Sequence, residues 1–86
     1  MYGKVLEIEN EEAALKILKA LSSESRLNIL EILNSQEMNL NEISQTLNMP
    51  SPSVTVNIKK LEEAGLIETE YLPGENGSQK ICKRTQ

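Results

Sequence analysis

Apolar residues along this chain recur first at helical spacing and later at strand spacing. Ala14, Ile17, Leu18 and Leu21 fall at i, i+3, i+4 and i+7, which gives one apolar side to a first helix. Asn10 is a suitable N-cap for it, and Glu11 and Glu12 sit at its positive end. Ser22 and Ser23 close this helix and can cap the next, predicted from Glu24 to Asn34. Leu27, Ile29, Leu30, Ile32 and Leu33 give that second helix a wide apolar face, as expected of a central core helix.

A third helix opens at Asn39-Leu40-Asn41-Glu42, a capping box of the N-x-x-E kind. Ile43 and Leu47 turn it towards the core. Pro50 then disfavours helical geometry at Met49, and Ser51-Pro52 restarts a helix with serine as the expected N-cap and proline at the first position. This fourth helix should run to Ala64, with Gly65 as a left-handed stop. Residues 66–72 read as a strand, Pro73 to Ser78 as a turn cluster, and Gln79 to Arg84 as a second strand. Residues 1–9 alternate weakly and suggest an extended arm ahead of a domain at 10–86. The result is a mainly α chain with a small β-hairpin: a winged helix-turn-helix of three to four helices plus wing.

The fourth helix carries the candidate chemistry. With Val54 at zero and 100° per residue, Ile58 and Leu61 fall within about 40° of it and form a buried stripe. Val56, Lys59 and Lys60 lie opposite, with Ser53 and Thr55 flanking them, while Asn57 lies nearer the core edge. Such a face is small and polar early and basic late. Its first turns can enter a major groove, where hydroxyls bond base edges or phosphates and lysines suit phosphates. A thymine methyl would give the exposed Val56 a partner; a solvated valine is the plainer reading.

Charge at first argues against nucleic acid, since the net value is −4. The distribution softens the objection. Residues 1–50 carry all of the excess, with Lys4, Lys16, Lys19 and Arg26 against eight glutamates, whereas residues 51–86 balance. Lys59, Lys60, Lys80, Lys83 and Arg84 cluster on the helix and hairpin expected to meet one duplex. Arg26 reads as structural, pairing with a nearby carboxylate.

Other chemistry is thinly supported. Cys82 is the single cysteine and there is no histidine, so neither a disulfide nor a metal cluster is expected, and Cys82 reads as an ordinary strand residue. No serine–base pair or Gly-rich phosphate loop points to an enzyme. With only Tyr2 and Tyr71 as aromatics, a stacking platform for single strands is not expected. No apolar run approaches membrane-spanning length, and a reduced cytoplasmic protein is the expectation.

Three stretches, ALSSESRLNILEIL, LNEISQTLNM and SPSVTVNIKKLEEAGLIE, together resemble the ArsR-like winged helix-turn-helix transcriptional regulators of bacteria and archaea. The resemblance covers roughly residues 13–84 and implies sequence-specific binding of an operator in double-stranded DNA. By that match Ser51, Ser53, Thr55, Val56, Asn57, Lys59 and Lys60 are the helix contacts, and Asn76, Gly77, Ser78 and Lys80 those of the wing. The Cys-x-Cys of metal-sensing members is missing from the third helix, so no cofactor or metal is expected. Family members usually continue into a further helix that pairs two protomers. The expectation is therefore the N-terminal part of a longer regulator, homodimeric in full, with a small-molecule effector acting through the region beyond it; the other reading is pairing through the first helix or the Tyr2–Glu9 arm. The alternative is a protein-interaction module with the same fold and no DNA binding.

Overall fold

In the computed structural model residues 11–74 and 77–85 are described. The arm expected at residues 1–9 and the expected cap Asn10 lie outside them, as does Asn76. The elements are α1 (Glu11–Ala20), α2 (Glu24–Leu33), β1 (Met38–Asn39), α3 (Leu40–Leu47), α4 (Ser51–Glu63), β2 (Ile67–Gly74) and β3 (Gly77–Arg84).

Each helix boundary has a local cause. Ser23 caps α2, its hydroxyl accepting from the Arg26 N–H at 3.4 Å. At α3 the capping box closes in both directions: Asn39 Oδ1 accepts from the Glu42 N–H at 2.8 Å, and Glu42 Oε1 accepts from the Asn39 N–H at 2.9 Å. Asn48 ends α3 in the left-handed region at φ 54°, a conformation asparagine tolerates better than most residues. The Ser44 hydroxyl donates to the Met49 carbonyl, while the Met49 N–H returns to the Ser44 carbonyl at 2.9 Å. Those two bonds fix the turn between α3 and α4.

The start of α4 differs from the expectation at Ser51. Pro50 is the N-cap, extended at ψ 143°, and Ser51 is already helical and makes no capping bond. Pro52 therefore occupies the second helical position, where its missing N–H costs nothing because the first-turn donors have no partner within the helix. At the other end Gly65 adopts φ 77°; its N–H reaches the Glu62 carbonyl, and the Leu66 N–H reaches the Leu61 carbonyl, both at 3.0 Å. These two bonds make a Schellman stop.

The sheet has three antiparallel strands in the order β1-β3-β2. Strand β1 is an addition to the sequence reading. It pairs Met38 with Cys82 and Asn39 with Ile81, and two residues are too few to show any periodicity. The hairpin also runs further than expected, since Pro73 faces Ser78 and Gly74 faces Gly77. Pro73 is tolerated there because β2 is an edge strand.

One core joins every element. Ile29, Leu30 and Leu33 of α2 meet Ile43 of α3, Val54, Ile58 and Leu61 of α4, and Met38, Ile67 and Cys82 of the sheet. No buried polar or charged residue interrupts it among the described residues. The first helix stands apart. Only Ala20 of α1 is buried, while Leu15 and Leu18 are 54% and 63% exposed. Its apolar side, anticipated from Ala14, Ile17, Leu18 and Leu21, thus stays half uncovered.

Candidate nucleic-acid interface

The helix α4 is divided into two unlike halves along its length. Val54, Ile58 and Leu61 are fully buried. Ser51, Ser53, Thr55, Val56, Lys59 and Lys60 are all exposed, with Val56 at 53%. No carboxylate stands on α4 before Glu62, so the exposed face is neutral over its first two turns and basic at the third. A face of this kind can lie against a polyanion without a repelling group in its centre.

Asn57 does not belong to that face. It is half-buried, and both ends of its amide are occupied. Its Oδ1 accepts from Arg26 Nη1 at 3.0 Å, and its Nδ2 donates to the Ser53 carbonyl at 2.9 Å. Arg26 in turn donates from Nε to the Ala20 carbonyl and from Nη2 to the Lys19 carbonyl, each at 2.9 Å. Arg26 is structural, as expected, but its partners are the last two carbonyls of α1 and one amide, not a carboxylate. A cation at a helix C-terminus meets both the terminal carbonyls and the negative end of the helix dipole. Arg26 therefore fastens α1, α2 and α4 at one point.

The wing is held against α4 by Glu62. Its carboxylate accepts from the Thr69 hydroxyl at 2.7 Å and lies 3.8 Å from Lys80 Nζ. Lys80 also stands 6.0 Å from the Tyr71 ring centre, a cation–π distance. The remaining hairpin cations have partners too. Lys83 lies 4.0 Å from Glu68 across the β2–β3 ladder, and Arg84 Nη1 donates to Asn34 Oδ1 at 2.8 Å. Lys80, Lys83 and Arg84, expected on the wing that meets the duplex, thus each have a partner within the domain. They neutralise carboxylates or bind α2, and their ammonium and guanidinium groups brace the base of the wing. Gly77 and Ser78 lie at the start of β3, next to the hairpin end.

Cys82 is fully buried on β3, and burial pushes its thiol up to about 11. Lys80 lowers it less than burial raises it, and Glu62 raises it further. It is a core side chain without nucleophilic character at neutral pH. No group of three or more His, Cys, Asp or Glu residues able to hold a metal occurs among the described residues. Among them no helix is long and apolar enough to cross a membrane.

Two groups important to this surface escaped the sequence reading. Glu62 was given no role, and Lys16 and Lys19 were counted only as part of the acidic half. Lys16 and Lys19 line a cleft with Lys60, because the C-terminal half of α1 packs beside the C-terminal half of α4. Nothing in the spacing of α1 reveals which helix lies next to it.

Four helices, an α3–turn–α4 pair joined through Ser44 and Met49, and a hairpin fixed to α4 by Glu62 define a winged helix-turn-helix domain. A helix-turn-helix domain family matches residues 21–70. The chain belongs to that family, whose domains serve DNA-binding transcriptional regulators and not enzymes. It is 35% identical over 69 residues to an uncharacterized HTH-type transcriptional regulator, MJ0229, of Methanocaldococcus jannaschii, a match covering 80% of this chain and 73% of that protein. Two solved structures share the fold. One is the homodimeric winged helix-turn-helix DNA-binding domain of Mb0332 from Mycobacterium bovis, a possible ArsR-family regulator, with TM-score 0.78 and 23% identity. That match covers 87% of this chain and 66% of the other. The second is HlyU of Vibrio cholerae, with TM-score 0.74, 24% identity and 93% and 83% of the two chains covered.

Proposed function

We propose that this domain binds an operator in double-stranded DNA with α4 in the major groove, as part of a transcriptional regulator acting in the cytoplasm. One observation carries the reading. In a chain of net charge −4, the exposed face of α4 has hydroxyls, a valine and two lysines from Ser51 to Lys60, with no carboxylate before Glu62. Ser51, Ser53, Thr55 and Val56 are the groups that meet base edges or the nearest phosphates, and Lys59 and Lys60 meet phosphates further along. Asn57 serves as a positioning residue, since Arg26 and the Ser53 carbonyl already occupy its amide. The hairpin end, with Asn76, Gly77 and Ser78, approaches the backbone beside the groove. Lys80 contributes by bracing the wing.

The working unit is a homodimer. Leu15 and Leu18 expose large apolar side chains on one side of α1, and Leu21 just beyond it is 38% exposed. An apolar patch of this kind on a small domain marks a contact surface. Two copies joined there would present two α4 helices to a palindromic site, with half-sites one or more helical turns apart.

Selection from a randomised duplex pool at low salt, read by fluorescence anisotropy, tests the proposal. The expected result is one enriched palindromic motif, whose binding is abolished in the K59E/K60E variant. No enrichment, or unaltered binding by that variant, would overturn it.

A further inference from the structure

The exposed cations of this domain are not spread evenly. Lys80, Lys83 and Arg84 lie against Glu62, Glu68 and Asn34. Lys16, Lys19, Lys59 and Lys60 have no carboxylate within ion-pair distance among the described residues. Three of those four lysines, Lys16, Lys19 and Lys60, line a single open cleft of about 410 Å³ between α1 and α4. Arg26 joins them there, and one carboxylate, Glu63, faces the same space. Four cations against one carboxylate, in a chain of net charge −4, is a local reversal of sign. Such a concentration of charge costs self-repulsion, which an anion in the cleft would relieve.

The rigid member of the group is Arg26. Three of its N–H groups are spent on the Lys19 and Ala20 carbonyls and on Asn57, so its guanidinium is held in place before any ligand arrives. Two of its five N–H groups remain. The lysines supply charge on flexible stems around it. A fixed guanidinium with mobile ammonium groups suits a backbone phosphate, whose two non-bridging oxygens share one negative charge and can each accept from more than one donor.

The cleft also lies in a useful place. Lys60 follows Val56 by one turn on the same side of α4, so the cleft begins where the proposed groove-facing surface ends. A helix seated in a major groove has a phosphate strand along each flank. Lys59 stands towards one flank, Lys60 and the cleft towards the other.

We propose that the α1–α4 cleft is a phosphate-binding subsite, and that its occupant is a backbone phosphate of the duplex read by α4. This rests on the DNA-binding reading above. Lys16 and Lys19 are the residues it adds. They belong to α1, outside the helix-turn-helix and the wing, and they would clamp the strand on the far side of α4 without reading any base.

The test compares the wild-type chain with K16Q/K19Q, exposed substitutions that keep helix propensity, each checked for folding by circular dichroism. The duplex is the one enriched by selection. The slope of log affinity against log salt should fall in magnitude by about 1 to 2 in the variant, with equal losses on matched and mismatched sequences. In parallel, tripolyphosphate is titrated while the backbone amide resonances of residues 16–20 and 60–64 are followed by NMR. If the wild type binds a selected duplex, an unchanged slope in the variant overturns the subsite while the DNA reading stands. If no duplex binds but tripolyphosphate shifts those resonances in the wild type and not the variant, the DNA reading falls. The cleft is then a site for a free phosphate-bearing molecule, and the assignment to backbone phosphate is overturned. If neither ligand acts, both fall.

Discussion

Arg26 Nη1 donates to Asn57 Oδ1 at 3.0 Å, linking the start of α2 to the middle of α4. Because the same guanidinium holds the last carbonyls of α1, three helices share one fastening. The rotation of α4 about its own axis, and so which residues face outward, depends on this contact as well as on the buried stripe.

Replacing Arg26 with alanine should destabilise the domain by about 1–3 kcal/mol, since it strands partly buried acceptors on α1 and α4. A double-mutant cycle of Arg26→Ala and Asn57→Ala, read by urea denaturation, should give a coupling of about 0.5–1.5 kcal/mol. Both single variants should lose DNA affinity on all sequences together. Loss of discrimination at one base pair in Asn57→Ala alone would instead make Asn57 a base-reading residue.

Val56 and Lys59 should separate base reading from phosphate binding. Lys59→Gln should lower the salt slope by about 0.9 with base preference unchanged. Val56→Ser should leave the stability within about 0.5 kcal/mol, because the side chain is already exposed, yet remove a preference for thymine at one position. Binding across a set of single-base operator variants measures both.

Leu18→Glu places a charge in the apolar patch of α1. The residue is 63% exposed in the single chain, so folding of that chain should be nearly unaffected. Sedimentation equilibrium should show a monomer at concentrations where the wild type is dimeric. Affinity for a palindrome should drop while affinity for a half-site holds. A dimer that survives the substitution would move the interface elsewhere.

Cys82 gives a stability signal with a definite sign. Its thiol goes from the ordinary 9.0 up to about 11 on folding, so between those values the unfolded chain has lost a proton that the folded chain keeps. Stability from this group is complete below pH 9 and falls as pH rises through that window, by at most about 3 kcal/mol. The fall should be missing from Cys82→Ala, measured as the difference between the two urea curves against pH. Near neutral pH the thiol should resist alkylation until the chain unfolds.

Much of this surface was legible in advance, for an identifiable reason. Val54, Ile58 and Leu61 recur at helical spacing, so the chain itself announces which side of α4 is buried and which is left for solvent or a ligand. Asn39 with Glu42, and Gly65, act within a few residues of themselves, and their structures follow from local chemistry. The fate of Asn57 did not follow in this way. Its position at the core edge was readable, but its partner lies 31 residues away. The pairing of Lys80 with Glu62 did not follow either, because Glu62 stands on another element and only the docking of hairpin on helix brings the two together.

The sequence by itself determined the order of the four helices and the hairpin, the capping box of α3, the stop at Gly65 and the outward face of α4, because each of these depends on spacing or on neighbours within one turn. The tertiary structure alone decided which cations are free. Lys80, Lys83 and Arg84 are tied to groups on other elements or across the hairpin, while Lys16 and Lys19 come from the acidic half of the chain to stand beside Lys60. Charge acts through space and not along the chain, so its consequences appear only when the helices are packed.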